Sequence, residues 1–474
     1  MKIILLSLIM CASLLGSVDS GQTLAQIDDQ IITVQDFIER AEYTPRPLYC
    51  KGNSNIDKRI ILNTLIGEKL FSMEMKKDVP STIDKYLIGR KNQKMREVLF
   101  NYVTSGSLTQ KDKFSHWYDL ASLEYDISYL SVLDHQLVEE IENSIIEGES
   151  LNSIYLFHAK SSDIPTREKI NLFTADNRAL REELFSKIWS RGDVFGPIVT
   201  DDNIIMFVQV DKRRKILDLN PNSIIQINDE ITTLINSHLQ ESRFQNFVND
   251  LMSGMTFELN PEVYFKFSKS IKKWYHEMGD ISNLDTASDK IPLLKIKDTQ
   301  DILLTLNGEK ISVDQVLHWL AIHPLVFRDG YYKDLHFTDQ LKYALADLIR
   351  DHTLNDKSKE LDLDKHPEVI AEYDKWYDNY RAIAQRKEII GKDSEFNSIK
   401  VSSALNEYFI GLTQKYTEEI RINVDLLNNI SLSSIDMATY NKIGPYKLAV
   451  PLFPVITDTY KFNYGQPISM DIYE

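Results

Sequence analysis

The histidines are the side chains of this chain best suited to bind a metal ion or to move protons near neutral pH. His318 and His323 are five residues apart, whereas two metal ligands on one helix face lie about three or four residues apart. His135 and His158 stand alone in the sequence. The histidine spacing therefore predicts no metal site.

Motifs for nucleophilic or nucleotide chemistry are missing from the sequence. It has no Gly-x-Ser-x-Gly, His-Glu-x-x-His, P-loop or Gly-x-Gly-x-x-Gly string. The formal net charge of -16 would repel phosphate groups, so we expect no nucleic-acid partner. We also expect no cofactor, and hydrolase, metalloprotease and nucleotide-binding functions lose support.

The first twenty residues predict export. Lys2 is followed by a mostly apolar run at 3–15 and then by small and polar residues, which is the pattern of a cleavable signal peptide. Val18 and Ser20 suit the recognition positions before a cleavage site, so we expect cleavage between Ser20 and Gly21. The mature chain is therefore predicted to act outside the cytoplasm.

Membrane attachment is not expected. The apolar run at 3–15 would extend over about 20 Å as a helix, short of a hydrocarbon core of about 30 Å. Met10 stands before Cys11 where a lipidation site needs a small residue, so we expect no lipoprotein. Cys50 is then the one cysteine of the mature chain, which excludes an intramolecular disulfide.

A small α/β domain is predicted between residues 120 and 216. Strand-like composition alternates there with amphipathic helical patterns and ends in two successive strands. The predicted order is strand 125–133, helix 135–147, strand 169–173, helix 178–190 and strands 196–200 and 204–210. The flanking sequence is mostly helical, so the predicted fold class is mainly α with an inserted α/β domain.

Residues 24–45 and 303–324 share one pattern without a gap. Each copy has an apolar strand, a polar turn, a Thr or Ser helix cap, and an amphipathic helix that ends at a proline. A further helix follows each copy, at 58–74 and at 337–359. The chain therefore resembles a duplicated helical module with the α/β domain inserted in the first copy only.

These patterns divide the chain into six segments. They are the signal peptide (1–20), an N-terminal helical module (21–119), the α/β domain (120–216), a helical segment that completes the first module (217–278), a polar linker (279–297) and a second helical module with an extended C-terminal tail (298–474). The tail, from Ala449 onward, could dock on the second module or on a partner.

Three strings suggest a family. They are I-D-D-Q-I-I-T-V-Q-D-F at 27–37, K-R-I-I-L-N-T-L-I-G-E-K-L at 58–70 and G-D-V-F-G-P-I-V-T-D at 192–201. With the signal peptide, and in this order, they resemble the SurA and PrsA type of extracytoplasmic foldase. The likeness covers residues 24–255, and the α/β insert resembles the parvulin-type (PpiC-type) peptidyl-prolyl isomerase domain.

The resemblance implies two activities. One is a chaperone activity that holds unfolded or nascent exported polypeptides, with outer-membrane proteins among the candidate clients. Apolar grooves suit that task, and the 23 Tyr, 20 Phe and 11 Met residues permit such a groove without locating it. The other is prolyl isomerisation, which needs a pocket for the proline ring and groups that stabilise a twisted amide.

The resemblance would place one catalytic histidine on the first strand of the insert and another on the last. The first strand instead offers Ser128 or Tyr129, depending on register, and the last offers Ile205 or Met206. Met206 and Phe207 could preserve an apolar wall for the proline ring, although strand residues of these types are ordinarily core. Ser128, Tyr129, Met206 and Phe207 are therefore candidates for a degenerate pocket.

The expected function is a periplasmic SurA-like chaperone whose isomerase domain has an altered catalytic centre. Two alternatives stay open: an active peptidyl-prolyl isomerase, and a non-catalytic subunit of a cell-envelope assembly. An open apolar cleft at Tyr129 and Met206 would favour the isomerase, whereas a filled one would count against it.

Overall fold

The predicted fold class is confirmed, because the chain is mainly helical and carries a separate sheet domain. The computed structural model describes residues 20–77, 79–105, 119–132, 135–159, 166–172, 174–175, 177–200, 205–216, 236, 240–241, 243–278, 296, 298–323, 325–328, 335–391, 398–433 and 449–468. The predicted signal peptide and linker lie almost wholly outside these residues. Within them, no helix combines the length and apolar character needed to cross a bilayer.

The elements follow one another in this order along the chain. The strands are β1 (Thr23–Ile27), β2 (Gln30–Thr33), β3 (Leu123–Val132), β4 (Thr166–Asn171), β5 (Val194–Val199), β6 (Ile205–Lys215), β7 (Phe257–Leu259), β8 (Ile302–Leu306), β9 (Glu309–Ser312), β10 (Ile420–Ile422) and β11 (Gln466–Pro467). The helices are α1 (Val34–Glu42), α2 (Asn55–Glu74), α3 (Ser81–Thr104), α4 (His135–Ile146), α5 (Leu151–Ala159), α6 (Arg178–Leu184), α7 (Pro261–Met278), α8 (Val313–Ile322), α9 (Phe337–Glu360), α10 (Pro367–Ile390), α11 (Ser398–Lys415) and α12 (Val424–Asn429).

The chain forms two compact units. The first combines residues up to 98 with residues from 358 onward, and the second is residues 99–357. This partition differs from the six segments of the sequence division, because the stretch 298–474 contributes to both units.

The first unit is built around α2 and a four-stranded sheet in the order β11-β10-β1-β2. Ser54 and Asp57 form a capping box at the start of α2, and most of the helix is buried. Gly67 lets two neighbours approach α2 closely, since a Cβ there would lie 2.9 Å from Ile456 Cγ2 and 3.1 Å from Phe409 Cδ2. The core of this unit therefore joins residues from both ends of the chain.

The C-terminal tail packs on the first unit, where it contacts α2 and also α11 of the predicted second module. Residues 449–468 run extended, and Phe453 and Ile456 are buried in the core around α2. Asn63 donates through Nδ2 to the carbonyl oxygen of Thr459 at 2.7 Å, and the Thr64 hydroxyl donates to the carbonyl oxygen of Thr457 at 3.2 Å. These polar side chains of α2 satisfy tail backbone groups that no strand partner reaches.

The second unit contains the predicted α/β domain as an antiparallel sheet in the order β4-β3-β6-β5. Helices α4 and α5 pack on one face of the sheet, and α6 packs on the other. The sequence prediction missed α5 and ended the last strand too early, because β6 continues to Lys215.

The predicted internal repeat is confirmed at the level of its elements. Strands β8 and β9 with helix α8 follow the order of β1, β2 and α1. Thr33 with Asp36 and Ser312 with Gln315 form matching capping boxes at the two helix starts. In the second copy, β7 adds to β8 to make a three-stranded sheet.

Candidate functional site

The four residues predicted for a degenerate pocket lie on the central strands of the sheet domain, but not on one face. Adjacent residues of a strand point to opposite faces, and Met206 and Phe207 accordingly belong to different hydrophobic clusters. Tyr129 packs with the Met206 cluster, whereas Ser128 shares its face with the Phe207 cluster. The four residues therefore cannot line a single pocket.

The face that carries Tyr129 and Met206 is filled by side chains of the domain itself. Met206 is buried in one cluster with Leu180, Leu184 and Val208, and α6 packs against the neighbouring strand β5. Within the described part of the domain, this face presents packed side chains rather than an open apolar cleft.

The opposite face holds a small polar network. The Ser128 hydroxyl donates to Asp211 Oδ2, and Gln209 Nε2 donates to Asp211 Oδ1 at 3.2 Å. Gln209 Oε1 accepts the backbone N–H of Leu151 at 3.2 Å, which ties the start of α5 to the sheet. The network therefore joins β3, β6 and the start of α5, and Phe207 is fully buried on the same face of the sheet.

Asp211 escaped the sequence prediction because a β-bulge brings it to Ser128. The register between β3 and β6 shifts from Asp126 opposite Lys212 to Ile127 opposite Val210, which leaves Asp211 as the extra residue. A strand pattern read from one sequence assumes regular alternation and cannot locate such a shift.

A second site, which sequence reasoning missed, is a cleft of about 870 Å³ in the first unit. Side chains from β2, α1, α2 and α10 line it. These elements belong to distant parts of the sequence, so no local motif marks the cleft. The one available signal was the presence of Arg40 and Glu68 within otherwise apolar helix faces.

Ion pairs form the floor of the cleft. Arg40 Nη2 lies 2.6 Å from Glu68 Oε2, and the two side chains are only 3% and 4% exposed. Lys69 Nζ donates to Asp378 Oδ2 at 2.6 Å, and the Ser72 hydroxyl donates to the other oxygen of Asp378 at 2.6 Å. Buried charges of this kind are stable only next to their partners. Neighbouring apolar side chains therefore cannot collapse into their place, and the floor of the cleft stays open.

Lys375 closes one wall of the cleft. Its ammonium lies 3.1 Å from a Glu39 oxygen and 3.4 Å from an Asp36 oxygen. Burial alone would lower the pKa of Lys375, but the carboxylates of Glu372, Glu39 and Asp36 raise it above its ordinary value. Burial likewise acts to raise the pKa of Asp36, but Lys375 and hydrogen bonds from Thr33 outweigh it and hold that pKa below the ordinary value.

The rim of the cleft is apolar and accessible. Ile31, Ile370 and Met73 are 49%, 45% and 38% exposed. Such adjacent apolar side chains around a concave surface are typical of a binding site.

Strand β2, which carries Ile31, is the edge strand of its sheet. Ile27 and Gln30 form the pair that closes the two-residue turn of the hairpin. The next pair, Gln26 with Ile31, is then a non-hydrogen-bonded pair, so the N–H and C=O of Ile31 point away from β1. No backbone group among the described residues pairs with Ile31 on that side.

Comparisons with known proteins found structural likeness but no sequence relative. No family model and no curated protein sequence matches the chain. Two solved structures are similar over 48% of this chain and 93% of their own: the peptidylprolyl isomerase PrsA from Bacillus cereus, at 11% identity and a TM-score of 0.20, and PrsA from Bacillus subtilis, at 12% identity and a TM-score of 0.17. At these TM-scores the likeness does not establish a shared activity.

Proposed function

We propose that this protein is an extracytoplasmic chaperone that holds extended segments of unfolded exported polypeptides in the cleft of the first unit. The observation that supports it is the combination of an exposed apolar rim, an edge strand and a fixed polar floor in one concavity. The predicted signal peptide supports the extracytoplasmic location.

The size of the rim sets the strength of binding. Covering a half-exposed Ile or Met side chain contributes roughly 1 kcal/mol, so Ile31, Met73 and Ile370 together contribute about 3 kcal/mol. Backbone pairing to an edge strand adds a few hydrogen bonds of about 1 kcal/mol each. These contributions come to about 6 kcal/mol before the loss of freedom on association is subtracted, so the dissociation constant is no tighter than about 10⁻⁵ M. A client would therefore dissociate spontaneously, as a chaperone without a nucleotide site requires.

We also propose that the sheet domain does not catalyse prolyl isomerisation. Catalysis there would need an open apolar pocket with polar groups aimed at the amide. The buried environment of Met206 and the absence of histidine from β3 and β6 support a non-catalytic domain.

A stoichiometric aggregation assay tests the chaperone proposal. The full mature chain should suppress aggregation of a chemically unfolded substrate, and the triple variant Ile31→Ser, Met73→Ser and Ile370→Ser should protect at least threefold less well per mole. Ile410→Ser is the matched control, since Ile410 is 46% exposed on α11 outside the cleft. Equal protection by the triple variant, or no protection by the wild-type chain, would contradict the proposal.

Proline-limited refolding tests the second proposal. At substoichiometric amounts, the chain should leave the refolding rate of a proline-limited substrate at its uncatalysed value. Acceleration that Tyr129→Ala or Met206→Ala reduces would instead identify the sheet domain as an active isomerase. Recovery of a single stoichiometric partner, with no protection of unfolded substrates, would favour an envelope subunit.

A further inference from the structure

The mouth of the cleft is acidic as well as apolar. Five carboxylates and four cationic side chains line the cleft, and all four cations are engaged. Arg40, Lys69 and Lys375 pair with carboxylates, and Arg381 donates to the backbone carbonyls of Ser72 and Met75. Three of the four cations are therefore paired with carboxylates, and the guanidinium of Arg381 is held by backbone carbonyls.

Two of the carboxylates remain without such a partner. Asp29 and Asp374 are exposed, and neither has a hydrogen bond or an ion pair among the described residues. Burial raises the pKa of Asp374 above its ordinary value, and the negative charges of Asp378 and Asp29 add to that shift, while Lys69 and Lys91 oppose it without cancelling it. The two carboxylates thus act on each other across the mouth, where a cation would relieve the repulsion.

Asp29 also lies in the turn that leads directly into β2. The unpaired acid is therefore next to the outward-pointing backbone groups of Ile31, and the apolar rim is on the same concave surface. A ligand that satisfies all three features needs an extended backbone, apolar side chains and one positive charge.

We propose that the cleft binds an extended polypeptide segment that adds to the outer edge of β2, with a Lys or Arg side chain between Asp29 and Asp374 and apolar neighbours on the rim. This proposal rests on the chaperone function and specifies its clients as unfolded segments in which a basic residue stands among apolar residues. An acidic segment of the same apolar content is disfavoured, because it would place a third negative charge at the mouth.

Three fluorescently labelled, terminally blocked peptides test the charge preference. They share one apolar, β-branched sequence and differ only in a central Arg, Gln or Glu, and the full mature chain is titrated into each by fluorescence anisotropy. The Arg peptide should bind about tenfold more tightly than the Gln peptide, since each of two exposed ion pairs changes an equilibrium constant by up to about fivefold. The Glu peptide should bind most weakly, and 0.5 M NaCl should reduce the differences.

The double variant Asp29→Asn and Asp374→Asn should reduce the Arg preference, measured as the ratio of the Arg-peptide and Gln-peptide affinities of the same protein, to within about twofold. Glu407→Gln is the control, because Glu407 is exposed on α11 outside the cleft and changes the net charge in the same direction. An Arg preference that survives in the double variant would show that the general acidity of the chain attracts the peptide, and would overturn the proposal.

Backbone methylation tests strand addition. Methylating the amide nitrogens of alternate residues in the Arg peptide blocks one hydrogen-bonding edge, and one of the two alternate sets should weaken binding at least fivefold. No loss with either set would overturn strand addition. Equal binding of the Arg, Gln and Glu peptides would refute the charge preference and leave the chaperone function intact, whereas failure of every peptide together with failure to prevent aggregation would refute both.

Discussion

The buried pair of Arg40 and Glu68 gives the sharpest test of how the cleft is held open. Two hydrogen bonds join the guanidinium to the carboxylate, at 3.2 and 2.6 Å, and Arg40 also donates to the carbonyl oxygen of Leu452 at 2.6 Å. Asn379 Nδ2 lies 3.3 Å from Glu68 Oε2 and 2.9 Å from the same Leu452 oxygen. The pair therefore connects α1, α2, α10 and the C-terminal tail.

Glu68→Leu should destabilise the first unit by about 3–5 kcal/mol. The substitution leaves the guanidinium of Arg40 buried, with the Leu452 carbonyl as its remaining acceptor in this network, and an unpaired buried charge costs that much. Arg40→Met should have a similar effect at neutral pH, because it leaves the carboxylate of Glu68 buried with only Asn379 beside it.

The double variant Arg40→Met and Glu68→Leu should be far less destabilised than either single variant. It replaces both charges by apolar side chains of similar volume, so no buried charge is left without a partner. We expect a coupling free energy of about 2–4 kcal/mol from the double-mutant cycle.

Hydrogen–deuterium exchange gives the unfolding free energies needed for this cycle. The slowly exchanging amides of α2 report the free energy at which the first unit opens, so peptides from α2 are followed in all four proteins. Urea unfolding of the full chain provides an independent value, provided that the slope with urea concentration stays constant across the four proteins. The account of the cleft floor would be refuted if each single variant lost less than about 1 kcal/mol of unfolding free energy. It would also be refuted if the double variant lost the sum of the two single-variant losses.

Two further predictions concern the same unit. Lys375 holds the pKa of Asp36 below its ordinary value of 3.8. The ionised carboxylate therefore stabilises the fold above pH 3.8, and this contribution is lost as the pH falls through the lowered pKa. Asp36→Asn should lower the urea midpoint at pH 7, and the effect of the substitution should shrink as the pH drops below 3.8. Gly67→Ala should destabilise by about 1–2 kcal/mol because its Cβ would crowd Ile456, whereas Gly411→Ala, with open space around it, should stabilise by up to about 1 kcal/mol in thermal unfolding.

The parts of the fold that depend on local chemistry were predictable from the sequence. The helix starts after Thr33 and Ser312 were identified because a capping box is made by residues three apart. The end of β6 could not be predicted, because its basic residues are stabilised by partners that are distant in the sequence. Arg214 pairs with Glu124 and Asp126 on β3.

The cleft was beyond prediction for a different reason. Its wall from α10 and its edge from β2 meet only because the chain returns to the first unit after residue 357. Asp374 and Asp29 each belong to an ordinary polar stretch of sequence, and their mutual repulsion exists only in the fold. In the same way, Asn63 and Thr64 are polar residues on a buried helix. Their role, which is to donate hydrogen bonds to backbone carbonyls of the tail, is visible only in the folded chain.

The two candidate sites differ in what each would require of the protein. Isomerisation requires polar groups positioned against a twisting amide in an open apolar pocket, whereas Met206 is buried among side chains of its own domain. Holding a client requires only apolar area and backbone groups that can be covered and released, and β2 with its rim presents both. A floor of buried ion pairs lowers the ordering cost of each binding event without increasing the apolar area that must be uncovered on release. In the proposed function, the first unit would bind clients repeatedly and weakly, which is the behaviour that holding without an energy source demands.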